Sequence, residues 1–266
     1  MDRSVQDIGG SFDARAERYN QNEWHRACAE RLVALSGVGR GAVVLDAGTG
    51  TGFAAVAAAR AAGTRGRVVA VDLSLGMLGI ARRHEAEATS APIDWVHGNA
   101  ADMSAYSAGS FDAVICAAAL LYMPVSAALA EWHRLLTPNG MVAVSSMRAG
   151  SPAAGRLFRA CAAAFGFHLA DPSEALGSES ACRTALEAAG FTHTTVTSEH
   201  LPFTAQDTVM AWESNLGSAA HEAVRSAGPD VLGAMRAAFM QSLEDEERRT
   251  PGSTTGAEVL FATARR

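Results

Sequence analysis

The stretch VVLDAGTGTGF, residues Val43–Phe53, decides the fold of this chain. An apolar, β-prone run ends in an acid, and three glycines spaced two apart follow it. Absent side chains let a ligand approach the backbone closely, and a helix that begins after such a turn offers free N–H groups. The stretch therefore predicts a ligand site at the point where a strand passes into a helix.

Composition excludes several classes of protein. The 266 residues carry a net charge of −6 and no clustered basic face, which argues against a nucleic-acid partner. The four cysteines form no C-x-x-C pair, so we expect neither a metal site nor a redox motif. The longest apolar run, Ala113–Leu121, is shorter than the roughly 20 residues of a membrane span, and the polar N-terminus has no signal-peptide pattern. We expect a cytoplasmic protein with reduced thiols and no membrane partner.

Apolar runs alternate with helical stretches over the first 147 residues, which predicts βαβ units and a parallel sheet. Strands are predicted at Ala42–Asp46, Arg67–Asp72, Ile93–His97, Phe111–Cys116, Met141–Met147, Thr194–His200 and Gly256–Arg266. Helices are predicted at Glu23–Leu35, Phe53–Ala62, Gly76–Ala88, from the fourth strand through Leu136, at Pro152–Phe165, at Ser180–Ala189 and across Ala205–Glu247. Residues 1–22 are polar and are expected to be mobile.

Two acids flank the predicted site. Asp46 begins the turn, and Asp72 ends the second strand about 20 residues beyond the glycines, where an acid commonly receives ribose hydroxyls. Either acid alone would serve equally well as a helix cap. Their combination with the glycines favours a nucleoside-binding site.

The spacing of the glycines, G-x-G-x-G, differs from the dinucleotide pattern G-x-G-x-x-G, and the chain resembles the class I S-adenosylmethionine (SAM)-dependent methyltransferases. VLDAGTGTG, VVAVDLSLGML, VHGNAADM, SFDAVICAAALLYM and LLTPNGMVAVS resemble that family's successive motifs over residues 40–147, and VLFATARR resembles its last strand. The resemblance implies a Rossmann-like α/β fold with a seven-stranded, mostly parallel sheet in the order 3-2-1-4-5-7-6. Helices would cover both faces of one domain, with a helical cover in 1–38, a SAM-binding half in 40–147 and a substrate half in 148–266.

The resemblance also implies the cofactor S-adenosyl-L-methionine and the residues that hold it. These are Tyr19, Asp46, Gly48, Thr49, Gly50, Gly52, Asp72, Leu73, Met77, Asn99, Ala100, Cys116 and Ala117. Asn99 departs from the family, which usually has Asp there to accept a hydrogen bond from the adenine amino group; an Asn carbonyl oxygen can still accept. Tyr19 either covers the SAM carboxylate or packs on the edge of the domain.

The substrate is expected to be a small, apolar or aromatic metabolite, as in natural-product or quinone metabolism. The fourth strand is followed by CAAALLYMP and not by the [DN]-P-P-[YF] motif of enzymes that methylate adenine or glutamine amides. Predicted pocket residues are Trp24, His25, Leu121, Trp212 and Asn215, and the candidate bases are His168 and His221, for which surface or packing roles are the alternative. A core of this kind leaves helix faces and a sheet edge available for a homodimer, and the sequence leaves the oligomeric state open.

Three other functions stay open at this point. A SAM-binding enzyme of the same fold can catalyse a cyclisation without methyl transfer. A nicotinamide-dependent oxidoreductase is opposed by the glycine spacing. A non-catalytic binding module is opposed by the intact Asp46, Gly48, Gly50 and Asp72.

Overall fold

A single sheet of seven strands organises residues 3–84, 89–218 and 221–266, which the computed structural model describes. The strands are β1 (Val43–Ala47), β2 (Arg67–Asp72), β3 (Ile93–His97), β4 (Phe111–Ala117), β5 (Leu136–Met147), β6 (Thr192–Pro202) and β7 (Gly256–Arg265). Their order is β3-β2-β1-β4-β5-β7-β6, with β1 to β5 parallel and β7 antiparallel to both of its neighbours. The predicted fold class and strand order are confirmed.

Helices lie on both faces of this sheet and over its carboxyl edge. They are α1 (Arg3–Asp13), α2 (Ala16–Asn20), α3 (Glu23–Leu35), α4 (Phe53–Ala62), α5 (Leu75–Ala81), α6 (Val125–Leu135), α7 (Ala153–Ala164), α8 (Glu179–Ala188), α9 (Ala205–Val209), α10 (Ala211–Leu216), α11 (Glu222–Arg225) and α12 (Pro229–Arg249). Two short 3₁₀ helices, Leu120–Tyr122 and Glu174–Leu176, lie between them. Within the described ranges, no helix has the length and hydropathy needed to cross a membrane.

The core has two layers because the central strands are covered on both faces. Leu45 and its same-face neighbours pack against Trp132 of α6, whereas Val44 faces Leu32 of α3 and the alanines of α4. Strands buried on both faces lose the alternation of polar and apolar residues, which is why they read as continuous apolar runs in the sequence.

The bounds of several strands shift, β5 beginning at Leu136 instead of Met141, and the largest differences from the prediction lie in three regions. Residues 1–22, expected to be mobile, contain α1 and α2, which are fixed by Asp13: its Oδ1 accepts hydrogen bonds from Ser74 Oγ at 2.5 Å and from the Gly76 N–H at 2.8 Å. The long helical region 205–247 is divided into α9 to α12, and Gly217 and Gly228 end or begin helices within it. The predicted helix after Gly76 ends as α5 at Ala81, and its last residues, 85–88, lie outside the described part of the chain.

Candidate functional site

The glycine turn between β1 and α4 has a conformation that other residues rarely adopt. Gly48, Gly50 and Gly52 have φ of +73°, +56° and +91°. A Cβ at Gly48 would lie 2.6 Å from Cβ of Ala119, and a Cβ at Gly52 would lie 2.8 Å from the Trp95 ring. Gly48 and Gly50 line a cavity, whereas Gly52 lies behind it and allows α4 to pack closely against β3.

Asp46 supports the turn from inside the protein. It is fully buried, and its Oδ2 accepts a hydrogen bond of 2.6 Å from Thr49 Oγ1. Burial raises the pKa of Asp46 to about 7. Asp46 and Thr49 were predicted to bind the cofactor, but neither lines the main cavity; Thr49 faces only a small recess beside it. Because β1 directs the Asp46 side chain into the core, the acid fixes the loop that lines the cavity.

Asp72, at the end of β2, faces the cavity. Its Oδ2 accepts a hydrogen bond from the Gly50 N–H at 2.7 Å, and its Oδ1 accepts one from the Ser74 N–H at 2.8 Å. Burial raises the pKa of Asp72, and the backbone hydrogen bonds oppose that rise. Each carboxylate oxygen has two lone pairs, so the fixed carboxylate can still accept hydrogen bonds from a ligand.

The cavity has a volume of about 460 Å³ and lies beyond the carboxyl ends of the parallel strands, where ligands bind in open α/β sheets. The predicted cofactor residues that line it are Tyr19, Gly48, Gly50, Asp72, Leu73, Met77, Asn99, Ala100 and Ala117. Cys116 does not: it is fully buried in the core below, because successive residues of β4 face opposite sides of the sheet. Asn99 Oδ1 accepts a hydrogen bond of 3.0 Å from the Ala101 N–H.

The N-terminal helices α1 and α2, together called the N-terminal cover, close one side of the cavity. Tyr19 stacks on His25, with ring centroids 3.8 Å apart. The side chain of Asn22 caps α3 by accepting a hydrogen bond from the His25 N–H, which fixes the start of the helix that carries this ring. Burial raises the pKa of Tyr19 and lowers that of His25 to about 3. Trp24, predicted to line the pocket, is buried against Phe203 instead, since it lies on the core face of α3.

The helices α7 and α9 to α12, together called the C-terminal cover, close the opposite side. His221 and Asn215 line the cavity, and Leu121 lines it from the turn after β4. Trp212, predicted to lie in the pocket, packs among Phe158 and Phe239 in the hydrophobic core of this cover. His168 is exposed outside the cavity, because it follows α7 in a loop on the surface.

His221 is buried in a defined orientation. Its ring stacks on Phe158 with centroids 5.0 Å apart, and its Nδ1 lies 2.7 Å from the carbonyl oxygen of Asn215. Burial lowers the pKa of His221; the hydrogen bond to the Asn215 carbonyl opposes this, and the charges of Arg159, Arg225 and Arg15 lower the pKa further. A carbonyl oxygen can only accept, so the neutral ring carries its proton on Nδ1 and keeps the lone pair on Nε2.

Several cavity residues carry no motif and were missed in the sequence. Arg15 and Phe12 come from the N-terminal cover, Tyr122 from the turn after β4, and Arg159 and Asp171 form an ion pair of 2.6 Å in the substrate half. The alternation of apolar and polar residues could have indicated which faces of the helices are buried. Nothing local indicates that these segments meet over one cavity.

Part of the chain matches known proteins in sequence. A family model described as a methyltransferase domain matches residues 44–140. The chain is 33% identical over 141 residues to a demethylmenaquinone methyltransferase from Staphylococcus aureus, a match that covers 53% of this chain and 57% of that relative. The chain thus spans little more than half the length of the curated relatives that it matches.

The fold is similar to solved structures over nearly the whole chain. The YcgJ protein from Bacillus subtilis has a TM-score of 0.58 at 15% identity, covering 90% of this chain and 98% of that one. The cyclase SpnF has a TM-score of 0.53 at 22% identity, covering 89% of this chain and 81% of that one. Residues 44–140 thus match a methyltransferase domain in sequence, and the strand order is that of the Rossmann-like fold of these structural neighbours.

Proposed function

We propose that this protein transfers a methyl group from SAM to a small metabolite. The observation that carries the proposal is the bare turn at Gly48 and Gly50, held beside the fixed Asp72 carboxylate at one end of a cavity that both covers enclose. The sequence match to a demethylmenaquinone methyltransferase supports a small-molecule acceptor. We assign a helical segment that includes the N-terminal cover to residues 1–38, the SAM-binding half to residues 40–147 and the substrate half to residues 148–266.

The residues of this site fit SAM. Asp46 and Asp72 are buried carboxylates whose pKa values burial raises, so both would gain from a ligand that carries positive charge. Asp72 would receive the ribose hydroxyls, the turn would lie against the methionine part, and Met77 and Asn99 would contact the adenine. When bound, SAM supplies a methyl group on a sulfonium that is already a good leaving group.

The chain itself would orient the acceptor and exclude water. Holding two reactants in line can contribute roughly 7–11 kcal/mol at best. The two covers enclose the cavity, and the Arg18 guanidinium donates a hydrogen bond of 3.5 Å to the Glu213 carbonyl across the gap between them. Tyr19 and His25 would cover the cofactor from the N-terminal side.

We assign the general base to His221, for acceptors that must lose a proton. Its Nε2 keeps the lone pair, and its lowered pKa leaves the ring neutral at pH 7. His25 is less suitable, because a pKa of about 3 makes it a weak base. His168 is too remote, since it lies outside the cavity.

Calorimetric titration with SAM, S-adenosylhomocysteine (SAH) and NAD tests the cofactor. We expect both SAM compounds to bind and NAD not to bind. Incubation with methyl-labelled SAM and a panel of small acceptors then tests the reaction. Label in the product supports methyl transfer, whereas product without label would support a cyclisation, the reaction named for the structural neighbour SpnF. NAD binding without SAH binding would contradict the proposal.

His221→Ala tests the base. We expect turnover to fall by about 10²–10⁴-fold, with SAH affinity changed less than threefold. His168→Ala is the matched control, since it removes an imidazole from the surface of the same half of the chain. We also expect the acidic limb of the pH–rate profile to lie below pH 6.5 and to disappear in His221→Ala. An unchanged rate in this variant would remove His221 from the mechanism.

A further inference from the structure

Arg15, between α1 and α2, is a cation that faces the cavity and has no acidic partner in the described part of the chain. Its Nε donates a hydrogen bond of 3.2 Å to the Ser11 carbonyl, and its guanidinium carbon lies 4.3 Å from the centroid of the Phe12 ring. Its Nη2 is buried and has no hydrogen-bond acceptor among the described residues. Burial lowers the pKa of Arg15. A buried guanidinium nitrogen without an acceptor is costly, so the side chain is suited to a ligand that supplies one.

The other charged side chains of the cavity already have partners. Arg159 pairs with Asp171 at 2.6 Å, and Arg18 donates to the Glu213 carbonyl. The remaining acids are held by the following groups: Asp72 by the Gly50 and Ser74 N–H groups, Asp207 by Thr204, and Glu213 by Arg236 at 4.0 Å. Within the part of the chain that the structure describes, Arg15 therefore contributes an uncompensated positive charge to this wall.

We propose that Arg15 binds a carboxylate group of the methyl-accepting substrate, an assignment that rests on the proposed function. The planar guanidinium matches a carboxylate through charge-assisted hydrogen bonds. One guanidinium balances one negative charge. A phosphate dianion would require a second cation, but Arg159 is already neutralised by Asp171 and the Arg18 guanidinium is directed to the Glu213 carbonyl.

SAM also carries a carboxylate, but the position of Arg15 favours the substrate. The recess beside the glycine turn is lined by Tyr19, His25 and Gly48, and Arg15 is not part of its lining. Arg15 instead faces the C-terminal cover: a Cβ at Gly217 would lie 3.3 Å from its Cδ, and its charge lowers the pKa of His221. Arg15 thus lies on the side of the cavity that holds the proposed base.

The surroundings of Arg15 also indicate the body of the substrate. Phe12 and Tyr122 meet edge to face, with centroids 5.2 Å apart, and both line the cavity next to the guanidinium. Leu121 and Met123 extend the same wall. The combination of one cation and an apolar wall fits an aromatic or aliphatic acid better than a neutral quinone or terpene.

Matched acids and amides test the assignment on the SAH-loaded full-length protein. The probes are benzoate, cinnamate and octanoate with their primary amides, each titrated calorimetrically into wild type, Arg15→Met and Arg83→Met. Arg83 is a surface residue, paired with Glu17 at 2.9 Å outside the cavity, and is the matched control. We expect at least one acid to bind wild type and Arg83→Met ten-fold or more tightly than its amide. Arg15→Met should remove this preference while SAH affinity stays within twofold.

Each other outcome would overturn the assignment in an identifiable way. If no acid binds more tightly than its amide, Arg15 does not select a carboxylate. A ten-fold loss of SAH affinity in Arg15→Met would show that Arg15 holds the cofactor carboxylate. Wild type that does not bind SAH would contradict the proposed function itself, and the substrate assignment would fail with it.

Discussion

Asp46 and Asp72 end neighbouring parallel strands, yet their side chains have different roles. Asp46 is turned into the core and holds Thr49, whereas Asp72 faces the cavity and holds Gly50. Both therefore fix the glycine turn, and only Asp72 can also contact a ligand. Asp46 and Asp72 are the same residue type in the sequence. Their roles differ because Asp46 is buried below the cavity and Asp72 lies at its wall.

The buried Asp46 makes stability depend on pH. Burial raises its folded pKa to about 7, against roughly 3.9 in an unfolded chain, so the folded state binds the proton more tightly. Stability due to this group is present below about pH 4 and is lost as pH rises through about 7. An Asn side chain at position 46 could still accept the hydrogen bond from Thr49 Oγ1, and it carries no charge. We expect Asp46→Asn to gain about 2 kcal/mol relative to wild type between pH 5 and pH 8.

Urea unfolding of the free protein at both pH values, followed by circular dichroism, measures this difference. Asp230→Asn, at an exposed position in α12, is the control and should show no comparable gain. If the stability of Asp46→Asn relative to wild type is the same at both pH values, Asp46 is ionised without cost in the folded chain.

Asn99 is the position where this chain departs from the motif of the methyltransferases that it resembles. Its Oδ1 already accepts a hydrogen bond from the Ala101 N–H, and its Nδ2 is a donor, which does not complement the adenine amino group. Asp at this position would offer a second acceptor oxygen. We expect Asn99→Asp to bind SAH about 3–10-fold more tightly, as one added hydrogen bond would give. Weaker calorimetric binding would instead show that Nδ2 donates to the ligand.

At the scale of elements, the turn between β1 and α4 is the most constrained piece of the site. Its glycines combine positive φ with close packing, and Gly48 is limited by Ala119 from the turn after β4. That second turn is itself unusual, because Ala118 has φ of +53° and donates its N–H to Ser145 Oγ at 3.0 Å. The two turns therefore determine each other's position at the cavity.

Gly48→Ala tests this constraint. The new Cβ would lie 2.6 Å from Ala119 at a backbone φ of +73°, so either the turn or its neighbour must move. We expect SAH affinity to fall at least ten-fold and the midpoint of thermal unfolding to decrease. Gly79→Ala is the control: Gly79 lies within α5 with no atom within 4 Å of a built Cβ, and the change should stabilise the protein by about 0.5–1 kcal/mol. Unaltered SAH binding in Gly48→Ala would show that the turn adapts easily.

At the scale of the whole molecule, two covers from opposite ends of the chain enclose one cavity. The N-terminal cover is anchored to α5 through Asp13, and the C-terminal cover has its own hydrophobic core around Phe158. Between them the hydrogen bond from Arg18 to Glu213 is long, at 3.5 Å. Each cover is thus attached more firmly to its own support than to the other.

This arrangement predicts that bound cofactor stabilises the two covers against local opening more than it stabilises the sheet. We expect SAH to slow amide hydrogen exchange in α2 and in α10, with little change in β1 and β4, whose amides are already protected in the buried sheet. Hydrogen-exchange mass spectrometry with and without SAH measures the effect. Protection restricted to the glycine turn would show that the covers do not close on the cofactor.

The sequence by itself determined the strands and the ligand end of the site, and its resemblance to the class I methyltransferases supplied the strand order. The bounds of β2, β3 and α4 agree with their prediction residue for residue, because apolar runs and glycine turns are set by interactions close in the chain. The motifs that resemble the family lie at the carboxyl ends of these strands, so Gly48, Gly50 and Asp72 could be placed in the cavity before the fold was seen.

Only the tertiary structure decided which of the remaining candidates reach the cavity. His221 faces the cavity, whereas His168 does not. His25 lines the cavity, while its neighbour Trp24 is buried behind this lining. Arg15 also lines the cavity, although the sequence did not indicate it as a candidate. Their positions depend on the rotation of each helix about its axis and on contacts between segments up to about 200 residues apart, such as the hydrogen bond from Arg18 to Glu213. Neither the rotation of a helix nor these distant contacts can be inferred from local sequence, since both arise when the two covers pack over the sheet.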